Sequence, residues 1–267
     1  MMIKEKAAIF IDNSNVFKGF IKQTQILWKS KELDSGKFLR FRWDKLIEAL
    51  EAQESGIDIY SRHFFASIRP DVNKFRNRSS DEQVVESYRQ SAQSGFYKKL
   101  QEPPLHFTLH DVPLKNRELY CGTLMKKAAK KCSEANNLEC GCAVNIDKCK
   151  DCKSRYQEFY EKGVDVALAT QLIISCSMNL TVPQRIILVS GDGDYVAAVR
   201  HVRQVMGKNV QIVSWKFALS RDLEKLANKP TIYLDDHWKQ LCEVKKERPQ
   251  TEEIEADVIE DLDVLEM

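Results

Sequence analysis

The sequence predicts an α/β fold of three layers: helices on either side of a central, mostly parallel sheet of about five strands, with a small cysteine-rich insert. Short apolar runs alternate with amphipathic stretches of helical period along most of the 267 residues. Several runs are continuously apolar, as in strands buried on both faces. A helical stretch separates successive runs, which is the crossover that parallel neighbours require.

Ala7–Ile11 is such a run and ends at Asp12. Asn15–Trp28 reads as a helix with Val16, Phe17, Phe20, Ile21 and Leu27 on one side. Residues 29–40 read as a polar loop and Trp43–Ala52 as an amphipathic helix. Ile57–Ala66 alternates as a second strand, Val84–Leu100 is helical, and Leu105–Val112 is a third strand introduced by Pro103-Pro104. Residues 113–162 break the rhythm and hold six of the eight cysteines, so they read as an insert. The alternation resumes with helix Val164–Ser177, strand Arg185–Val189, helix Tyr195–Met206, strand Asn209–Ser214, helix Leu219–Ala227 and a short run Thr231–Leu234. One domain over residues 1–242, including the insert, is expected, with 243–267 as an acidic, disordered tail.

Composition narrows the function classes. A hydrophobic share of 43% with 30% charged residues is ordinary for a soluble globular protein. The opening MMIKEKAAIFID has too short an apolar run for a signal peptide. Val164–Val182 has one charge, Asp165, but also Thr170, Gln171, Ser175, Ser177 and Asn179, so it reads as a buried helix rather than a membrane span. A cytoplasmic protein without a membrane partner is the expectation. The formal net charge of +2 conceals an asymmetry: Pro249–Met267 carry eight acidic residues and no Lys or Arg, leaving residues 1–248 at +10. A basic body suits a polyanion, because Lys and Arg displace counterions from phosphates. A solvated charged surface would read the same way. The tail offers a surface for a protein partner, a homodimer or the basic body itself.

Active sites of parallel α/β sheets form at the carboxyl ends of the strands. Asp12 ends the first strand in IFIDNSNVF, and Asp192 and Asp194 follow the fourth in ILVSGDGDY, where Gly191 and Gly193 permit tight turns. Asp165 opens a helix in KGVDVALATQLI. Helix capping is the competing reading for Asp165 and Asp194. Clustered carboxylates repel unless a cation neutralises them, and Mg²⁺ or Mn²⁺ takes hard oxygen ligands and activates water toward phosphodiesters. There is no GxxxxGK[ST] loop, and GDGD lacks the third glycine of a dinucleotide fingerprint.

These three segments resemble, in order and spacing, the motifs of NYN domains, a branch of the PIN-like nuclease superfamily that includes LabA-like proteins. The resemblance covers residues 6–215 without the insert. The last motif is similar to the family's SGDSDF signature, with Gly193 for Ser and Tyr195 for Phe. It implies a PIN-like fold, a metal-dependent ribonuclease of endonucleolytic type, and RNA as substrate. It further implies Asp12, Asp165, Asp192 and Asp194 as Mg²⁺ or Mn²⁺ ligands and Asn15 as the polar partner that orients Asp12 or a metal-bound water. Ser190 and Asn13 stand behind them as supporting groups.

The insert's cysteines are spaced Cys121-x10-Cys132-x7-Cys140-x-Cys142-x6-Cys149-x2-Cys152. Such a cluster is more often a metal site than a disulfide framework in a cytosolic protein. Structural zinc on Cys140, Cys142, Cys149 and Cys152 is the first expectation, with Cys132 or Cys121 as alternates; a redox pair and free thiols stay open. Lys126, Lys127, Lys130 and Lys131 fall on one face of a helix and would track phosphate, or form a solvated face. Arg69, Lys74, Arg76 and Arg78, with Phe75, would do so after the second strand. Cys176 and Cys242 read as core thiols, Trp28, Trp43 and Trp215 as core, and His201 as part of a basic rim. His63, His106 and His110 are assigned no catalytic role. The main alternative is an RNA- or protein-binding module with little hydrolysis. The same carboxylates acting on DNA flaps is another, and a phosphatase is the weakest because Asp12-Asn13-Ser14 lacks the second Asp of a DxD motif.

Overall fold

The computed structural model describes residues 4–33, 38–53, 56–68, 93–120, 155–177 and 183–245. Its centre is a six-stranded sheet in the order β4-β3-β1-β7-β8-β9. The strands are β1 (Glu5–Asp12), β3 (Ile57–Ile68), β4 (Thr108–Pro113), β7 (Arg185–Val189), β8 (Asn209–Ser214) and β9 (Ile232–Tyr233), and every pairing is parallel. The sheet is one strand wider than expected because Ile232–Tyr233 pairs along the β8 edge.

The chain runs from β1 outward through β3 to β4, then returns to the other side of β1 and runs outward through β7, β8 and β9. The direction of winding therefore reverses between β1 and β7. A crevice opens at the carboxyl ends of two strands wherever such a reversal occurs. Ile11 pairs with Val189 at that edge, so Asp12 on β1 stands level with Ser190 after β7.

Alternation along β1 divides the core. Ala7, Ile9 and Ile11 face one side, where they pack with α1 (Asn13–Lys29), α2 (Trp43–Gln53), α3 (93–101) and α7 (Leu234–Leu241). Ala8 and Phe10 face the other, with α4 (Val164–Ser177), α5 (Val196–Gln204) and α6 (Arg221–Leu226). This is the three-layer αβα arrangement.

Several expectations are corrected. The loop 29–40 ends in a strand, β2 (Phe38–Phe41), which pairs antiparallel with β10 (Cys242–Lys245). Residues 243–245, grouped with the tail by composition, thus belong to a small sheet. The third strand begins at Thr108 rather than Leu105, because His106 lies at positive φ, 48°, and breaks the extended run. The ends of segment 113–162 pair with each other as β5 (Lys115–Tyr120) and β6 (Arg155–Tyr160), so the segment leaves and rejoins the domain at one place. Helix α4 buries one face, Val164, Leu168, Leu172 and Cys176, while Val166 and Ile174 are exposed, so it is half-buried rather than enclosed. Trp43 and Trp215 are core, but Trp28 is only half-buried. Among the described residues no helix is long and apolar enough to cross a membrane.

His63 and His110 sit side by side on β3 and β4, with Nδ1 of His63 2.9 Å from Nε2 of His110 and Ser61 Oγ 2.7 Å from Nε2 of His63. Phe10 stacks on the first ring and Phe65 on the second. Burial, helped by the adjacent His110, brings the His63 pKa down from 6.5 to about 4. The folded state keeps this ring neutral, whereas the unfolded chain takes up a proton below about pH 6.5. Stability from His63 is therefore complete above that pH and is lost as the pH falls toward 4, on the order of 3 kcal/mol across the window. Urea unfolding at several pH values in this range should show the loss, and His63→Phe should flatten it. An equally steep loss in the variant would assign the pH dependence elsewhere.

Candidate active site

Asp12 is the last residue of β1 and the N-cap of α1, and it is 1% exposed. Each of its oxygens accepts two hydrogen bonds. Oδ1 takes the Asn15 backbone N–H at 3.1 Å and Ser14 Oγ at 3.0 Å; Oδ2 takes Ser190 Oγ at 3.2 Å and the Tyr195 hydroxyl at 3.0 Å. Burial raises its pKa, and the charge of Glu161 raises it further.

Asp165 lies in the first turn of α4, half-buried. Its Oδ1 stands 3.1 Å from the same Tyr195 hydroxyl. Its pKa is also raised, first by burial, then by the charge of Asp12, with Asp192 and Asp194 adding to it. Asp12 and Asp165 thus meet at the Tyr195 hydroxyl, and Asp192 and Asp194, on the loop that follows β7 at the same sheet edge, add their charge to the surroundings of Asp165. Burial, and then the Asp12 and Asp165 charges, push the Tyr195 hydroxyl well above the ordinary tyrosine range, so it stays protonated.

Asp192 and Asp194 sit in the loop after β7. Asp192 caps the short turn Gly193–Tyr195 by accepting the Asp194 N–H at 3.0 Å, and Asp194 is exposed. Asp165 and Asp194 each stand in a first helical turn, where a carboxylate also favours the dipole, and the side chains seen to accept a capping N–H are Asp12 and Asp192. Asn15 also acts differently from expectation. Its backbone N–H orients Asp12, while its side-chain Oδ1 accepts the Gly191 N–H at 2.9 Å. It therefore ties the β1–α1 turn to the loop that carries Asp192. Ser190 touches Asp12 as expected, and Ser14 supplies a second serine hydroxyl.

Three residues went unassigned from sequence. Tyr195 was noted only as a departure from a signature, yet it is fully buried between two carboxylates. Ser14 bridges Asp12 to Glu161, donating at 3.0 Å to one or 2.8 Å to the other. Glu161, exposed and just after β6, also accepts Ser67 Oγ from the end of β3 at 2.7 Å. The only sequence signal for Glu161 is its place two residues before Gly163, in the lead to the Asp165 motif.

Among the described residues no three His, Cys, Asp or Glu side chains stand close enough to hold an ion as placed. The donor chemistry nonetheless suits a hard cation: the groups that converge are carboxylates, and their shifted pKa values mark negative charge held against repulsion and burial. Cys121, Cys132, Cys140, Cys142, Cys149 and Cys152 lie outside the described residues, as do Arg76, Lys126, Lys127, Lys130 and Lys131. The two described cysteines are poor thiolate ligands, since burial pushes Cys176 up to about 11 and Cys242 up to about 12.

The sequence pattern of the NYN domain matches residues 6–235. The chain belongs to the NYN domain family. This membership covers both flanks of the sheet and all four acids, and it gives the chain a nuclease-like fold. No curated protein matches the chain. A solved structure of a protein of unknown function from Vibrio parahaemolyticus is similar over 90% of this chain and 97% of its own, at 17% identity and a TM-score of 0.48.

Proposed function

We propose that this NYN domain is a ribonuclease that hydrolyses RNA phosphodiester bonds with Mg²⁺ or Mn²⁺ at the β1–β7 crevice. The observation that carries this reading is the convergence of Asp12 and Asp165 on one buried hydroxyl, with the charges of Asp192 and Asp194 acting on Asp165. Asp12, Asp165, Asp192 and Asp194 would hold the ion, which when bound makes water nucleophilic near neutral pH and stabilises the leaving oxygen.

The chain's own part is positioning. The backbone N–H of Asn15 and the Ser14, Ser190 and Tyr195 hydroxyls fix the Asp12 carboxylate. The Asn15–Gly191 bond holds the Asp192 loop against β1. Asp192 and Asp194 border solvent, on the side from which a strand of RNA reaches the crevice. Phe217, 36% exposed after β8, stacks along Trp215 and has Lys22 Nζ 4.6 Å from its ring centre. An exposed aromatic with an adjacent cation suits a base and its phosphate. RNA contacts by Lys126, Lys127, Lys130, Lys131 and Arg76, and zinc on Cys140, Cys142, Cys149 and Cys152, belong to the same proposal and rest on sequence spacing and charge.

End-labelled RNA should be cut by the full chain with Mg²⁺ or Mn²⁺ and left intact with a chelator. RNA binding without cation-dependent cutting would support a binding module instead, and cutting confined to DNA would change the substrate.

A further inference from the structure

We propose that the Ser14 and Tyr195 hydroxyls are switches that close Asp12 in the absence of a cation and release it by turning their protons to Glu161 and Asp165. The proposal rests on the reading of these carboxylates as the cation site. A carboxylate has about four lone-pair positions. All four on Asp12 are taken, by Ser14 and Asn15 on Oδ1 and by Ser190 and Tyr195 on Oδ2. With both hydroxyl protons turned to it, Asp12 has no lone pair for an ion.

The four donors are not alike. The Asn15 N–H is fixed by the first turn of α1, and Ser190 Oγ is held by the Asp192 N–H at 3.2 Å. The other two each have a second carboxylate within reach: Glu161 Oε1 at 2.8 Å from Ser14 Oγ, and Asp165 Oδ1 at 3.1 Å from the Tyr195 hydroxyl. A hydroxyl has one proton and serves one of the two at a time. Rotating the Ser14 proton to Glu161 frees a position on Oδ1, and rotating the Tyr195 proton to Asp165 frees one on Oδ2. Ser67 Oγ keeps Glu161 aligned at 2.7 Å, so the acceptor is fixed in advance.

The closed hydroxyls and the cation compete for the same oxygens. In the closed state Tyr195 donates to a carboxylate that no ion shares; in the open state its acceptor is shared with the ion and bonds more weakly. Removing the hydroxyl therefore costs the closed state more, and Mn²⁺ should bind Tyr195→Phe on the order of fivefold more tightly than wild type. Mn²⁺ titration of the full chain by calorimetry reads this directly. Glu161→Gln should weaken Mn²⁺ binding several-fold when Ser14 is present and much less in a Ser14→Ala background, because the Ser14 proton then has no part to play. Unchanged or weaker binding by Tyr195→Phe, or an equal Glu161→Gln effect in both backgrounds, overturns the proposal. Asp12→Asn serves as the separate control: it should lose most of the binding, and wild-type affinity in that variant would instead overturn the assignment of the site.

Discussion

Asp192→Asn is expected to slow RNA cleavage about a thousandfold and to leave the fold unchanged. On the proposed reading the carboxylate charge would supply cation binding and, through it, several kcal/mol of transition-state stabilisation; about 4 kcal/mol is three factors of ten. The fold tolerates the change because Asp192 acts structurally through one oxygen, Oδ1, which accepts the Asp194 N–H. Asparagine keeps that oxygen and remains a strong N-cap. Asp12→Asn is a less clean comparison. It is 1% exposed and receives four donors, so an amide NH₂ there would confront Ser190 and Tyr195 or Ser14 and Asn15. That variant should lose stability as well as activity. Single-turnover rates with saturating Mn²⁺, alongside thermal unfolding, separate the two. Unimpaired cleavage by Asp192→Asn would remove this residue from the reaction.

The parallel core was legible because burial on both faces writes itself as unbroken apolar runs. Ala7–Ile11, Arg185–Val189 and Asn209–Ser214 each read as strands, and each pairs as one. Strands β2 and β10 were not legible, since each is four residues long and finds its partner some two hundred residues away. The four acids could be named because strand ends and short motifs mark them. Their surroundings could not. Tyr195 follows Asp194 in sequence, but that its hydroxyl lies between Asp12 and Asp165 depends on how α4 packs against the turn after β7. Glu161 reaches the site because Ser14 lies in the first turn of α1 after β1 and Ser67 near the end of β3, two strands adjacent in the sheet. Such contacts are set by tertiary packing, which leaves no spacing in the chain to read. Asn15 shows the same limit: the sequence marks it as important, but its side chain holds Gly191 rather than Asp12.

Gly191→Ala should be strongly damaging, and the reason differs from the one the sequence suggests. SGDGD reads as a loop with two glycines for tight turning, yet Gly191 and Gly193 are both absent from the positive-φ residues, whose described glycines are Gly163 and Gly207. What Gly191 supplies is space. A Cβ there would lie 2.3 Å from the Ala218 carbonyl oxygen and 2.5 Å from Ser214 Oγ, and the first of these is backbone that cannot rotate aside. The loop is also pinned on both sides, with the Gly191 N–H on Asn15 and its carbonyl accepting the Ser220 N–H at 2.8 Å. Relief of the clash has to pull the loop from β8 or from α1. A cost of about 3 kcal/mol is expected, with an unfolding midpoint lower by about 9 °C. Because the same loop carries Ser190 and Asp192, a displacement of about 1 Å should also cost cleavage about a hundredfold. Gly193→Ala is the internal contrast. Its Cβ would meet only the Ser220 side chain, at 3.3 Å, and the residue opens a helical turn, so stability should change by less than about 1 kcal/mol. Equal destabilisation by the two substitutions, measured by thermal unfolding, would refute the close approach of Gly191 to Ala218 and assign the effect of both glycines to turning after all.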